Sequence, residues 1–436
     1  MDMQYEHSVT LDKEKCRGCT ACLKRCPTEA IRVREGKASI IAEKCIDCGE
    51  CIRVCPHHAK IAVTDPLSAL DAFRYKVALP APTLYGQFKG IDSVDRLLSA
   101  LLAVGFDDVV EVAHGAEYIS AAIRAHLSSH AFKRPAISSA CPAILRLIQV
   151  RFPTLLDHVV DFITPMDAAA KIARARVCAK YGCTPEEVGV FFITPCPAKM
   201  TAIRAPLGTN EKSPVDGAIS IIEIYGSIVA QLRKPFDVKK LQESGFYGIG
   251  WPAPGGEALA VGVDNAMSVD GIHNVIQVLE QLENNKLDEL AFFEGLACTA
   301  GCHGGPLTFE NSYVSRNRVR ALKSKMTGEE SERRELPCLN ELTPEEMRMD
   351  SQLEPKPVMR LDGNIVEALR KRERIDSIHR GLPGLDCGSC GSPTCYALAE
   401  DIVRGEANEM NCLYKLKDKV RDMARQMVDL YDQAKD

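Results

Sequence analysis

The chain carries no excess of positive charge. Its 54 Lys and Arg stand against 59 Asp and Glu, for a formal charge of −5. That excludes nucleic acid as the main partner, because phosphate binding needs a basic surface. No block of like charge forms a basic tail. No apolar run approaches the roughly 18 residues of a membrane helix, so no membrane role is expected. The opening stretch MDMQYEHSVTLDKEKC lacks the apolar core of a signal peptide. A cytoplasmic location is therefore expected, and cytosolic thiols stay reduced.

Against these absences stands an abundance of cysteine, 19 in 436 residues. The chain is too long and too ordinary in composition, at 46% hydrophobic, for a disulfide-stapled mini-protein. Metal ligation is the better reading. The length suggests two to four domains. Eight cysteines lie between residues 16 and 55, four lie between 387 and 412, and seven are scattered. Three regions follow: 1–66, 67–350 and 351–436.

The first region contains a repeat. CRGCTACLKRCP begins at Cys16 and CIDCGECIRVCP at Cys45, and each is followed by a short β-rich stretch, AIRVRE or AKIAVTD. Each half reads C-x2-C-x2-C-x3-C-P. Three cysteines at this spacing wrap one cubane, and the fourth crosses to the other. Cys16, Cys19, Cys22 and Cys55 should therefore hold one [4Fe–4S] cluster. Cys45, Cys48, Cys51 and Cys26 should hold the second. Zinc also favours four cysteines, but two complete copies with the proline argue against it. The region resembles bacterial-type dicluster ferredoxins, which implies a small α+β fold and single-electron transfer.

The middle region reads as α/β. Apolar runs KVALPAP, DDVVEVA, RPAISSA and GVFFITP predict buried strands. They alternate with helical patterns such as SVDRLLSALLAVGF and IHNVIQVLEQLENNKL. Three loops stand out: SSACPA (138–143), TPCPAKM (194–200) and FEGLACTAGCHGGP (293–306). Their cysteines, Cys141, Cys196, Cys298 and Cys302, would hold one more cluster if the loops converge. Cys178, Cys183 and Cys338 have no partner motif and read as ordinary cysteines.

These loops resemble the three signature motifs of [FeFe]-hydrogenases, and the likeness covers roughly residues 67–330. It implies that Cys141, Cys196 and Cys298 hold the cubane of an H-cluster. It implies that Cys302 holds the cubane too and bridges to a di-iron subsite with CO and CN ligands. Lys199 falls where the family's lysine donates to a cyanide, a role that suits a point charge with three donors. Ala81-Pro82-Thr83 and Thr164-Pro165-Met166 fall where cofactor-lining loops belong.

The pattern also departs from that family. The family's proton-passing cysteine is Ala140 here, and a methyl group carries no proton. Residues 118–137 contain no Asp or Glu, although the family's acids lie upstream of this motif. Thr194 and Leu296 stand in place of flanking methionines. Slow or alternative proton transfer is expected, with His126, His130 and His303 as candidate substitutes. Such a departure resembles the family's sensory branch.

In the last region Cys387, Cys390, Cys395 and Cys412 follow C-x2-C-x4-C-x16-C. This resembles the single-[4Fe–4S] domain of corrinoid iron–sulfur proteins and of membrane electron-transport B subunits. It implies one C-terminal cluster in a small α-rich domain. The final helical pattern repeats Leu413, Leu416, Val420, Met423, Met427 and Leu430 at 3–4 spacing. Either it packs on its own domain or it forms a short homodimer coiled coil.

The expectation is an α/β multidomain hydrogenase of low turnover. H2 and protons would be its substrates, and a ferredoxin its redox partner. Maturation proteins would supply the di-iron unit, and a kinase or phosphatase would read the signal. The alternative is a non-catalytic assembly factor or electron carrier with only a plain cubane at the central site.

Overall fold

The computed structural model describes residues 7–129, 133–326, 340–358 and 360–434. Two compact units form. One gathers residues 1–9, 46–49 and 62–356, and the other gathers 10–45, 50–61 and 357–436.

The cysteine repeat, most of which lies in the second unit, forms two matching halves. Strand β1 (Val9–Leu11) pairs with β4 (Lys60–Ala62), and β2 (Ile31–Arg34) pairs antiparallel with β3 (Lys37–Ile40). Short helices α1 (Ala21–Lys24) and α2 (Glu50–Arg53) follow the two cysteine loops. The halves repeat even in a hydrogen bond. Ala30 N donates to Cys26 Sγ at 3.2 Å, and Ala59 N donates to Cys55 Sγ at 3.2 Å.

The other unit is built on two parallel sheets. The first has the order β6 (Asp108–Val109), β5 (Tyr75–Pro80), β8 (Val188–Thr194), β9 (Gly217–Ser220). The second has the order β10 (Ala266–Asp270), β11 (Phe292–Leu296), β7 (Ala136–Ile137). All seven residues of β8 are buried, as expected of a strand covered on both faces. Burying each Val, Ile or Phe there contributes about 1.5–3 kcal/mol.

Helices connect the strands: α3 (Val94–Val104), α4 (Val112–Ser128), α5 (Pro142–Arg151), α6 (Pro165–Tyr181), α7 (Pro197–Arg204) and α8 (Ile221–Leu232). After them come α9 (Phe246–Gly250), α10 (Gly256–Val261), α11 (Ile272–Glu283) and α12 (Ser312–Ser324). The strand- and helix-like runs of the sequence appear at these places. One boundary moves: the third cysteine loop begins later than its residues suggest. FFEGL is strand β11, held by pairing with both neighbours despite its Glu and Gly.

The C-terminal part of the second unit is helical, with α13 (Ile365–Gly381), α14 (Cys395–Arg404) and α15 (Leu413–Gln433). The apolar seam of α15 faces solvent; Leu413, Leu416, Val420, Met423, Met427 and Leu430 are all exposed. No described helix is long and apolar enough to cross a membrane.

Candidate functional site

Four loops at the C-terminal ends of parallel strands converge, the usual place for a site in α/β proteins. Ala81-Pro82-Thr83 follows β5, Cys141 follows β7, Cys196 follows β8, and Cys298 with Cys302 follows β11. Cys141 and Cys196 each occupy the cap position of a helix whose first residue is proline, Pro142 in α5 and Pro197 in α7. Proline suits that position because the first N–H has no helical partner. It starts the helix directly after the cysteine, so each sulfur sits at the positive helix end.

The converging loops line a cavity of about 80 Å³. Its walls include Thr83, Ala140, Cys141, Cys196, Lys199 and Cys302. Pro165 and Met166 also line it. Cys298 is not on that wall, but its charge acts on Cys141, Cys196 and Cys302. Glycine holds the third loop against the second. A Cβ on Gly305 would lie 2.4 Å from Pro195 O.

Burial pushes the Cys196 thiol up to about 12 and the Cys141 and Cys302 thiols above their ordinary range. Neighbouring cysteines raise all three further, and Lys199 opposes the effect. Desolvated thiols crowded this way gain most when a metal takes the place of the proton. A cubane fits these residues. The di-iron subsite fits as well: with Cys302 and Lys199 on the same wall, the buried Thr83 Oγ1 has no hydrogen-bond partner among the described residues. A polar ligand atom would satisfy it.

Ala140 places its methyl group on this wall. Neither described candidate histidine lines the cavity. His126 lies against Phe162 and Arg348. His303 is fully buried, bonds Ser315 through Nδ1 and has its pKa lowered to about 4 by burial. His130 and Cys338 lie outside the described residues.

The sequence reading missed two acids. Ser138 Oγ donates to Glu257 Oε2 at 2.6 Å and accepts from Ala140 N at 3.2 Å. Glu257 lies in the first turn of α10 and Glu294 sits within β11; they are 2% and 1% exposed. Burial raises both carboxyls above the ordinary carboxylate range, and the charge of Glu294 raises Glu257 further. Glu294 is also bonded by Ser268, on the half-buried strand β10. A charged residue inside the apolar run AFFEGLA was the signal available in the sequence.

The other cysteines group as follows. Cys16, Cys19, Cys22 and Cys55 line one small cavity of about 20 Å³. Cys26 and Cys51 pack against the same apolar cluster as Cys16 and Cys22. Cys45 is half-buried. Cys48 packs in one apolar cluster with Cys141 and Cys196. The loop residue before it, Asp47, accepts from Thr201 Oγ1 at 2.9 Å, on the same helix α7 as Lys199. Cys390, Cys395 and Cys412 share an apolar cluster, and Cys387 is exposed. Cys178 and Cys183 hydrogen-bond each other and do not line the central cavity.

Residues 74–249 match the iron-only hydrogenase large subunit, C-terminal domain. Residues 8–56 match a 4Fe–4S dicluster domain, and residues 382–414 match a domain described as a putative Fe–S cluster. The periplasmic [Fe] hydrogenase large subunit of Nitratidesulfovibrio vulgaris is 27% identical over 242 residues, 50% of this chain and 56% of that protein. Iron hydrogenase 1 of Clostridium pasteurianum is 24% identical over 266 residues, 54% of this chain and 46% of that protein. The chain thus spans about half the length of these relatives. A variant of the [FeFe]-hydrogenase HydA1 from Chlamydomonas reinhardtii shares the fold, with a TM-score of 0.51 and 16% identity over 65% of this chain and 95% of that one. An [FeFe]-hydrogenase-like domain and two iron–sulfur domains therefore lie along one chain.

Proposed function

We propose that this chain is a sensory [FeFe]-hydrogenase that interconverts H2 with protons and electrons at low turnover. The observation that carries the reading is the cavity lined by Cys141, Cys196, Cys302, Lys199 and Thr83, whose hydroxyl has no hydrogen-bond partner among the described residues. When bound there, the H-cluster supplies the hydrogen chemistry. Cys141, Cys196, Cys298 and Cys302 would hold it. Lys199 and Thr83 would donate to its anionic ligands, and the apolar walls would exclude water.

Protons need another route past Ala140. Ser138, Glu257, Glu294 and Ser268, joined pairwise by hydrogen bonds or charge, would meet the need. A carboxyl raised toward neutrality exchanges protons in both directions near the working pH. The wire stops short of the cavity, because a methyl group and not a thiol occupies the last position. That gap supports low turnover, and low turnover suits a reporter of hydrogen or redox state.

Electrons would pass through the clusters of Cys45, Cys48, Cys51 and Cys26 and of Cys16, Cys19, Cys22 and Cys55. Packing of Cys48 with Cys141 and Cys196 supports that order. A ferredoxin would exchange electrons with the relay, and a kinase or phosphatase would read the state of the protein in an anaerobic cytoplasm. The exposed heptad seam of α15 suits pairing with a second copy of the chain.

The test is infrared spectroscopy of protein matured with the di-iron cofactor. CO and CN stretches are expected. Their absence would leave an electron carrier or assembly factor with a plain cubane at the central site.

A further inference from the structure

The C-terminal cysteine loop lies against the N-terminal cluster fold, though more than 300 residues separate them in sequence. Val33 N donates to Gly391 O at 2.8 Å. The contact is too close for any side chain at 391, where a Cβ would lie 1.7 Å from Val33 O. Arg34 Nη1 donates to Cys390 O at 2.7 Å. From α1, Lys24 Nζ donates to Pro393 O at 3.2 Å.

A buried carboxylate locks this contact. Asp401 is 0% exposed. It accepts from Arg32 Nε at 2.7 Å, from Arg34 Nη2 at 2.8 Å and from Ser392 Oγ at 2.7 Å. One carboxylate thus ties both arginines of β2 to the loop and to α14. Removing such a partner would strand buried charge, so the junction is a built one.

Val33 is also part of the wall around Cys16, Cys19, Cys22 and Cys55. The same residue lines one cluster site and bonds the loop of the other. Backbones paired this way stand about 5 Å apart. The two sites are separated by little more than strand β2.

We propose that the C-terminal cubane exchanges electrons directly with the cluster of Cys16, Cys19, Cys22 and Cys55, across β2, as the outermost station of the relay. One electron moves. The donor cubane goes from its 1+ to its 2+ state while the acceptor goes from 2+ to 1+, and no bond or proton changes. Cys387, exposed at the end of this loop, sets the port at the protein surface. The inference rests on the iron–sulfur part of the proposed function and not on the di-iron subsite.

The experiment uses the full chain with its cubanes reconstituted from iron and sulfide, fully reduced, without the di-iron cofactor. Electron paramagnetic resonance of the wild type minus that of Cys390→Ser isolates the C-terminal signal. That difference should be broadened and fast-relaxing, as for a cubane beside another spin. Gly391→Val, which wedges the loop off β2, should return it to the signal of an isolated cubane at unchanged iron content. A wild-type difference that already relaxes as an isolated cluster overturns the proposal, and so does iron content unaltered by Cys390→Ser. If Gly391→Val loses its iron, the wild-type difference alone decides. Missing CO and CN bands would defeat the hydrogenase reading and leave this inference standing; an isolated C-terminal signal with those bands present would do the reverse.

Discussion

Ser138 donates its hydroxyl proton to Glu257 across 2.6 Å, and both residues are almost fully buried. The pair joins a residue two positions before Ala140 to a carboxyl from a distant helix. Under the proposed function it would stand in for the acids that residues 118–137 lack.

Glu257→Gln keeps the shape of this contact and removes the titrating group. Turnover of the matured protein should fall by roughly 10²-fold, the usual share of one acid–base group, with the infrared bands intact. Stability should move the other way. A free glutamate ionises near pH 4.3, whereas burial holds Glu257 protonated to higher pH. The native state therefore binds more protons, and its stability falls as pH rises above that point. Glutamine is free of this penalty. Thermal melts should show no gain for Glu257→Gln at pH 4 and a clear gain at pH 8. Equal melting at pH 8 together with full turnover would remove Glu257 from the path.

Ala140→Cys should raise turnover several-fold. The methyl of Ala140 forms part of the cavity wall, and its backbone already bonds Ser138. A thiol at this position would carry a proton between the cavity and the Ser138–Glu257 pair. The gain should vanish in the double variant Ala140→Cys, Glu257→Gln, because the thiol would then have nothing to pass its proton to. Gas-exchange rates of the four proteins form the cycle that measures this coupling.

Lys199→Met keeps length and removes charge. Lys199 lines the cavity and opposes the raised pKa of Cys141, Cys196 and Cys302. The central cubane should persist, since its ligands remain. The CO and CN bands should drop at least severalfold, because an anionic ligand would lose its partner in a dry cavity. Full bands in Lys199→Met would place the lysine outside the cofactor's contacts.

The cysteine loops were legible because strand ends and helix starts leave local marks in sequence. Cys-Pro after an apolar run marks both a strand terminus and a helix start, as at Cys141 and Cys196. The repeat at Cys16 and Cys45 was legible for the same reason. Glu257 and Glu294 were not, because their meaning lies in pairing across two elements. Only the sheet order β10, β11, β7 brings Glu294 near the chain leading to Ala140. The junction of Val33 with Gly391 was equally hidden: Asp401 reads in sequence as a solvated helix residue, and only folding buries it between two arginines.

Iron counting separates ligands from bystanders. Cys196 is half-buried beside three other cysteines of the set, and desolvation and their charges push its thiol up to about 12. A neutral thiol so placed gains nothing from its neighbours, whereas a thiolate bound to iron does. Cys196→Ser should therefore lose one cubane's iron per chain, and with it every CO and CN band. Cys183 is half-buried, and its thiol bonds Val177 O and Cys178, both on α6. Cys183→Ser should keep the full iron content and the full infrared spectrum. Loss of iron in Cys183→Ser would mean that a scattered cysteine is a ligand. Retention of iron and bands in Cys196→Ala, where no oxygen can take the place of the thiolate, would remove Cys196 from the ligand set.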